Sequence, residues 1–299
     1  MNEAASTAAA SDNARIDHSK RFIVEEFTPL FHTAAYRALP AAARLRYNQL
    51  QALYFNEQAA FFEQEVLIPA LRGLLRCGLP DGLAKNVRTF RDEEHRHSAM
   101  FRALNRRCAP EFYARSDYHF ISIARPLRAL LGAISGRPRM FPFVVWLALM
   151  HEERSLFFSK GCLENADELE PHFVATHRAH LVDEVGHVGW DGELLDWLWP
   201  RTGRTIRGAN VRLLAWMIGE FFLLPKRSGV RVVAQLAREL PHLDSAVLRR
   251  AMSGLKDNAE YLGSLYPREM TPRTFARFDA LPEFALLGRT LPGYFPTRV

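Results

Sequence analysis

The chain has 299 residues, of which 48% are hydrophobic and 24% are charged, so it has the composition of a globular protein and enough length to bury a sizeable core. The net charge of +6 comes from 39 Lys and Arg residues dispersed among 33 acidic residues, without a long basic run or a nucleic-acid motif, which argues against nucleic-acid binding. The longest apolar run, residues 140–150, is too short to span a bilayer, and residues 1–13 lack the apolar segment of a secretory signal.

The three cysteines, Cys77, Cys108 and Cys162, are an odd number at wide spacings. This pattern fits neither a disulfide framework nor a zinc site, and it is typical of a reducing compartment. We therefore expect a cytoplasmic protein without a membrane association.

Apolar residues recur at helical spacing along most of the chain. After a tail at residues 1–17 that we expect to be disordered, long helices are predicted at 41–75, 81–105, 141–162 and 170–199, and shorter ones near 125–134 and at 210–224, 230–239 and 245–265. Neither alternating strand patterns nor hairpin signals occur, so the predicted class is all-α.

Four long helices with a long connection between the second and the third predict a ferritin-like four-helix bundle, because that topology needs one long crossover. We expect residues 18–299 to form a single domain, with the core bundle at about 41–200 and accessory helices at 208–299 around it.

The last helix of the predicted bundle carries several residues that could bind a metal. His180, Glu184 and His187 stand at positions i, i+4 and i+7, which share one face of a helix. Two imidazoles around a carboxylate are a candidate metal site. The second helix carries Glu94 and His97, so that both helices contain the Glu-x-x-His spacing.

The Glu-x-x-His spacing alone is weak support for a metal site. It occurs three times, and the third case, Glu239 to His242, contains a proline, so we attribute it to chance. Glu94 and Glu184 differ from Glu239 because each lies in an apolar helical stripe. An ionised group in such a stripe costs several kcal/mol unless it is paired or bound to a metal. The alternative is a set of buried His–Glu and Arg–Glu pairs without a metal.

Two more helices must supply carboxylates if two metals are bound, since di-iron bundles take a single Glu from each of two helices. On the third helix we prefer Glu153 to Glu152, because Glu153 shares its face with the apolar stripe. On the first helix we prefer Glu63, and Glu57 is the alternative ligand.

The charge and the donor types of this set suit two metal ions. Four glutamates balance two ferrous ions, whereas without metal they would raise one another's pKa. Oxygen and imidazole donors suit iron or manganese. Asp183 and Glu93 directly precede ligands, so we expect Asp183 to accept the free ring N–H of His97, and Glu93 that of His187 or His180.

The order of these residues resembles that of the p-aminobenzoate N-oxygenase (AurF-type) family of non-haem di-iron oxygenases. The resemblance covers residues 45–200. The interval between the first two ligands, Glu63 and Glu94, is slightly shorter than in the family, so Glu57 stays the alternative ligand of the first helix. Under this resemblance the metal ligands are Glu63, Glu94, His97, Glu153, His180, Glu184 and His187.

The resemblance implies two iron ions, O2 as co-substrate, and N-oxygenation of a small arylamine. Electrons must then come from an external reductase, because the chain has no flavin or nicotinamide fingerprint. A homodimer is also considered. Alternatives are a di-iron hydroxylase, desaturase or decarboxylase of a C–H substrate, a ferritin-like metal-storage protein, or a dimetal hydrolase.

Overall fold

The computed structural model describes residues 15–294, which fold into helices joined by turns. Within that range no strand forms, and Arg21 and Leu169 make one isolated bridge, so the all-α prediction is confirmed. The α-helices are α1 (Ala34–Arg37), α2 (Ala41–Phe62), α3 (Ile68–Leu75), α4 (Asp81–Cys108), α5 (Pro110–Tyr113), α6 (Arg125–Ser135), α7 (Phe143–Glu164), α8 (Pro171–Leu198), α9 (Arg204–Met217), α10 (Arg227–Glu239), α11 (Ser245–Gly254), α12 (Ala259–Ser264) and α13 (Pro272–Asp279).

Four long helices form the bundle. Helix α2 packs along α4, α7 packs along α8, and α4 packs against α8. The connection from α4 to α7 contains the short helices α5 and α6, as the single-crossover prediction requires. Helix α10 covers α2, while α9 and α13 cover α7, so residues after 200 pack around the bundle. No helix in the described range has both the length and the apolarity needed to cross a membrane.

The first predicted helix is interrupted where the sequence indicated continuity. Helix α2 ends at Phe62, a π-helical turn runs over Glu63–Leu67, and α3 follows. Pro69 has no backbone N–H to donate to the carbonyl four residues back, so the regular pattern fails at this point. The N–H of Ile68 instead donates to the carbonyl of Glu63, five residues back. Such π turns often occur at functional sites.

The prediction of one helix over 245–265 is wrong. Helix α11 ends at Gly254, a 3-10 turn covers Leu255–Asp257, and α12 begins after Asn258. Asn258 is extended, with φ −94° and ψ 105°, and its side chain accepts a hydrogen bond from the N–H of Tyr261. An asparagine that caps a new helix in this way ends the previous one.

Of the tail expected at residues 1–17, residues 1–14 lie outside the described part of the chain. Asp17 lies against the bundle, where its N–H donates to the Glu170 carboxylate at 3.4 Å. The division into a tail and a single domain stays a prediction.

Candidate metal centre

The π-helical turn places Glu63 against α4 and α8. The Glu63 carboxylate is buried, and its Oε2 accepts a hydrogen bond of 2.6 Å from the Ser98 hydroxyl on α4. Its Oε1 lies 3.9 Å from Nε2 of His180 on α8. The turn therefore positions one carboxylate of the first helix at the centre of the bundle.

Helices α4 and α8 contribute the two Glu-x-x-His units. Nδ1 of His187 lies 3.0 Å from Oε1 of Glu94, and Nδ1 of His97 lies 3.4 Å from both Oε1 of Glu94 and Oε1 of Glu184. Nε2 of His180 lies 2.8 Å from Oε1 of Glu184. All five residues are at most 3% exposed. The two motifs therefore face each other across the bundle.

Helix α7 turns Glu152, not Glu153, toward these residues. Oε2 of Glu152 lies 3.9 Å from Nδ1 of His187. The Glu153 carboxylate instead accepts hydrogen bonds from the backbone N–H groups of Arg273 and Thr274, at 2.7 and 2.9 Å.

The preference for Glu153 is therefore corrected. Both glutamates are buried, because α7 has apolar neighbours on two sides, so an apolar stripe alone does not distinguish them. Glu153 faces the accessory helix α13 and binds its N-terminus, where orphan N–H groups and the helix dipole favour a carboxylate.

Glu57, the alternative ligand of the first helix, is engaged elsewhere. Its carboxylate accepts hydrogen bonds from the backbone N–H groups of His119, Phe120 and Ile121, and from the Tyr113 hydroxyl at 2.9 Å. Glu57 thus holds the crossover between α4 and α7 against α2 and does not reach the cluster.

Within residues 15–294, many polar atoms of the cluster are buried without a partner in hydrogen-bond geometry, although ring nitrogens and carboxylate oxygens lie close together. They are both carboxylate oxygens of Glu94 and of Glu184, Nδ1 of His97 and of His187, Nε2 of His180 and Oε1 of Glu152. Unpartnered buried polar groups are rare in folded proteins and need an explanation. Here the lone pairs of carboxylates and imidazoles converge, which is the arrangement that a metal ion requires.

These residues form two overlapping groups with the proximity of metal ligands. One comprises Glu94, His97, Glu184 and His187, and the other comprises Glu63, His97 and His180. In each group the donor atoms lie within 4.8 Å of one another. Oxygen and nitrogen donors without a thiolate fit iron or manganese better than a structural zinc ion.

Electrostatics in the cluster reflect crowded carboxylates. Burial, followed by the charge of Glu94, raises the pKa of Glu63 well above its usual value. Burial and the nearby charge of Glu184 do the same to the pKa of Glu152. Although burial opposes its ionised form, contacts with His180 hold the pKa of Glu184 well below normal. Glu63 and Glu152 thus resist ionisation beside the other acids, and cations at the cluster would favour their ionised forms.

Acidic residues hold the outer ring nitrogens of two histidines. Nε2 of His97 lies 3.1 Å from Oδ2 of Asp183, and Nε2 of His187 lies 3.0 Å from Oε2 of Glu93. Arg96 lies between the two acids, 3.3 Å from Asp183 and 3.4 Å from Glu93. With their Nε2–H groups donated outward, both rings direct Nδ1 into the cluster.

Sequence reasoning missed Ser98, Ser155 and the acid Asp191. The Ser155 hydroxyl lies 3.3 Å from Nδ1 of His180, which leaves Nε2 facing inward. Ser155 follows Glu152 by three residues, so the two share one face of α7, a pattern that the sequence analysis did not use. Asp191 is buried one turn after His187, and neither of its carboxylate oxygens has a hydrogen-bond partner in the described part of the chain.

The fold and the cluster define a class, a ferritin-like helical bundle that carries carboxylates and histidines at its centre. The chain matches the p-aminobenzoate N-oxygenase AurF family over residues 9–254 and belongs to this family. The family resemblance drawn from the motifs is thereby confirmed, and membership of an oxygenase family supports an oxidoreductase role. No curated protein matches the chain.

Proposed function

We propose that the protein is a non-haem di-iron oxygenase that uses O2 to N-oxygenate a small amine, most simply an arylamine. The observation that carries the proposal is the convergence of unpartnered carboxylate and imidazole atoms at the centre of the bundle. The proposed ligands, with Glu152 in place of Glu153, are Glu63, Glu94, His97, Glu152, His180, Glu184 and His187.

The charge of this set supports a pair of divalent ions. Its four glutamates carry four negative charges when ionised, and three neutral imidazoles add donors without adding charge. When bound, a pair of ferrous ions supplies the electrons and the Lewis acidity for O2 reduction. Manganese has compatible ligand preferences and is the alternative metal.

The remaining residues of the site act by orientation and by exclusion of water. Asp183 and Glu93 hold the rings of His97 and His187, and Ser155 holds that of His180. Ser98 orients Glu63 through its 2.6 Å hydrogen bond. Because the site is buried, O2 and the amine react away from bulk water.

The proposed reaction needs electrons from outside the chain, and we propose an external reductase as their source.

A cytoplasmic location is supported by the three cysteines, which are all free. The homodimer considered from the sequence stays a prediction.

The test is anaerobic loading with two equivalents of Fe(II), followed by O2 and a panel of arylamines, with products identified by mass spectrometry. We expect hydroxylamine or nitro products from iron-loaded protein and none from zinc-loaded protein. His180→Ala should lose product, whereas Glu153→Ala, a change on the other side of α7, should retain it. Slow accumulation of ferric mineral without any organic product would indicate metal storage and would falsify the proposal.

A further inference from the structure

The positive charge of the protein is concentrated in two segments of the chain. Residues 66–80 and 118–151 contain six arginines and neither an aspartate nor a glutamate. These arginines account for the whole net charge of +6, because the other 33 Lys and Arg residues equal the 33 acidic residues in number. They are Arg72, Arg76, Arg125, Arg128, Arg137 and Arg139.

The two segments lie side by side in the fold. Helix α3 packs against α6, and a Cβ at Gly73 would lie 2.6 Å from the carbonyl oxygen of Gly136, so the two backbones approach closely. Arg76 donates to that carbonyl at 3.2 Å, and Arg139 donates to the carbonyl of Cys77 at 2.6 Å. The arginines of α3, α6 and residues 136–140 thus form one basic surface, which we call the α6 surface.

The charge of the α6 surface is largely uncompensated. Arg128 pairs with Glu65 at 3.7 Å. The other five arginines are exposed and form no ion pair of 4.0 Å or less with a carboxylate in residues 15–294. Attraction to an acidic partner is therefore not spent on neighbouring side chains.

Apolar side chains stand among these charges. Three of them lie between Arg125 and Arg139 in the sequence and are 51–56% exposed, namely Leu127, Leu130 and Met140. An apolar centre with a polar rim in which arginine is enriched has the composition of a protein–protein interface.

The α6 surface is also close to the candidate metal centre. Helix α6 packs on the π-helical turn, where a Cβ at Gly132 would lie 3.9 Å from the carbonyl oxygen of Glu65. Glu63, whose carboxylate lies beside His180, belongs to the same turn. A partner on this surface is therefore separated from that turn by a single helix, about 10–12 Å across.

We propose that the α6 surface docks the external electron donor, and that this donor is a small acidic one-electron carrier protein, a ferredoxin in the simplest case. The inference rests on the proposed function, which requires electrons from outside the chain. Each carrier is oxidised as it gives up one electron. Two such electrons, with two protons and one O2, convert one amine to a hydroxylamine and one water.

The features of the surface suit a transient electron-transfer complex. Opposite charges steer an acidic partner to the arginines and fix its orientation. Such complexes bury little area, so a few exposed apolar side chains suffice at their centre and no deep groove is needed.

The test titrates a plant-type [2Fe–2S] ferredoxin, a small and strongly acidic carrier, into the protein as purified, with binding followed by calorimetry at low and at high salt. We expect high salt to weaken binding, and the double variant Arg125→Glu, Arg137→Glu to weaken it at least about tenfold at low salt. The matched control is Arg249→Glu, Arg250→Glu on α11, which packs on α1 and α10. It changes the net charge equally at two exposed arginines and should weaken binding less than about threefold.

A second variant tests the apolar centre without a change of charge. Leu130→Gln should weaken ferredoxin binding at least about threefold, because Leu130 is exposed in the free protein and buried in the complex. Unchanged binding in both Leu130→Gln and the double variant of α6 would overturn the proposed surface.

Failure of this inference and failure of the oxygenase proposal are distinguishable, since the titration needs neither iron, O2 nor turnover. Equal affinities of the α6 and α11 double variants, or no binding of ferredoxin, overturn the docking surface even in a protein that oxygenates an amine. Sedimentation with anionic phosphatidylglycerol vesicles, lost in the α6 double variant while ferredoxin does not bind, would assign the surface to a membrane instead. Ferredoxin binding that depends on these arginines supports the inference, even in protein that oxygenates no amine.

Discussion

Asp183 on α8 lies 3.1 Å from the outer ring nitrogen of His97 on α4, so an acid of one helix fixes a histidine of the other. Its neighbour in the sequence, Glu184, lies 3.4 Å from the inner nitrogen of the same ring. The two acids of α8 thus hold one imidazole from opposite sides, and the orientation of that ring does not depend on α4 alone.

Asp183→Ala is expected to weaken metal binding by about 10- to 100-fold, because His97 loses the acceptor that sets its tautomer and orientation. Competition of Co(II) or Zn(II) with a coloured chelator measures the affinity. Asp92→Ala is the control, since Asp92 is an exposed acid paired with Arg91 on α4. Equal affinities in the two variants would show that Asp183 does not support the site.

Substitutions of the neighbouring Glu152 and Glu153 are expected to affect different properties, metal binding in the first case and stability in the second. Glu152→Ala should lower the metal stoichiometry, because Glu152 faces the cluster. Glu153→Ala should retain the metal and lower the free energy of unfolding by about 1–2 kcal/mol, since it removes the acceptor at the start of α13. Metal analysis and urea unfolding of both variants test this pair, and loss of metal from Glu153→Ala alone would restore the original assignment.

The sequence predicts helices well where periodicity and stop signals agree, as for α4 and α8. It also predicts which side of its helix each of four ligand candidates occupies, because each belongs to a motif that constrains its neighbours. They are His97, His180, Glu184 and His187. Glu152 and Glu153 are harder to assign, since α7 is buried on more than one side. The orientation of such a helix depends on contacts with α13, about 120 residues away, that no local pattern encodes.

The π-helical turn at Glu63 shows a second limit of sequence reasoning. A proline can disturb a helix interior, but the presence of Pro69 does not tell whether the chain continues, kinks, stops or inserts a π turn. Tertiary contacts decide this, and α6 packs directly on the turn. The choice of Glu63 over Glu57 agrees with the position of Glu63 beside His180, while the role of Glu57 in holding the crossover carries no recognisable motif.

Glu57→Ala is expected to be strongly destabilising, by about 3 kcal/mol or more, because it leaves the buried backbone N–H of Phe120 and the partly buried N–H groups of His119 and Ile121 without an acceptor. Glu57→Gln keeps one acceptor oxygen and should lose less. Urea unfolding gives the free energies, and metal analysis of the Gln variant should show normal stoichiometry. Loss of metal without loss of stability in that variant would instead place Glu57 at the cluster.

The ion pair between Arg46 on α2 and Glu239 at the end of α10 gives a pH-dependent prediction. Nε and Nη2 of Arg46 lie 2.5 and 3.0 Å from the two carboxylate oxygens of Glu239. Partial burial opposes the charge of Glu239, but hydrogen bonds from Arg46 and Gln235 outweigh it and lower the pKa of Glu239. A carboxylate with a lowered pKa in the folded state stabilises the fold above its unfolded value of 4.5, and this contribution is lost as the pH falls through the folded value.

Glu239→Gln should therefore lower the free energy of unfolding at neutral pH by about 0.5–1 kcal/mol, a figure already reduced for solvent screening. The difference from the unsubstituted protein should shrink as the pH falls below 4.5. Urea unfolding across this pH range measures it. Glu168→Gln is the control, because Glu168 pairs with Arg21 while 61% exposed and should change stability little at any pH. A deficit of Glu239→Gln that stays constant with pH would mean that packing, rather than charge, accounts for the effect.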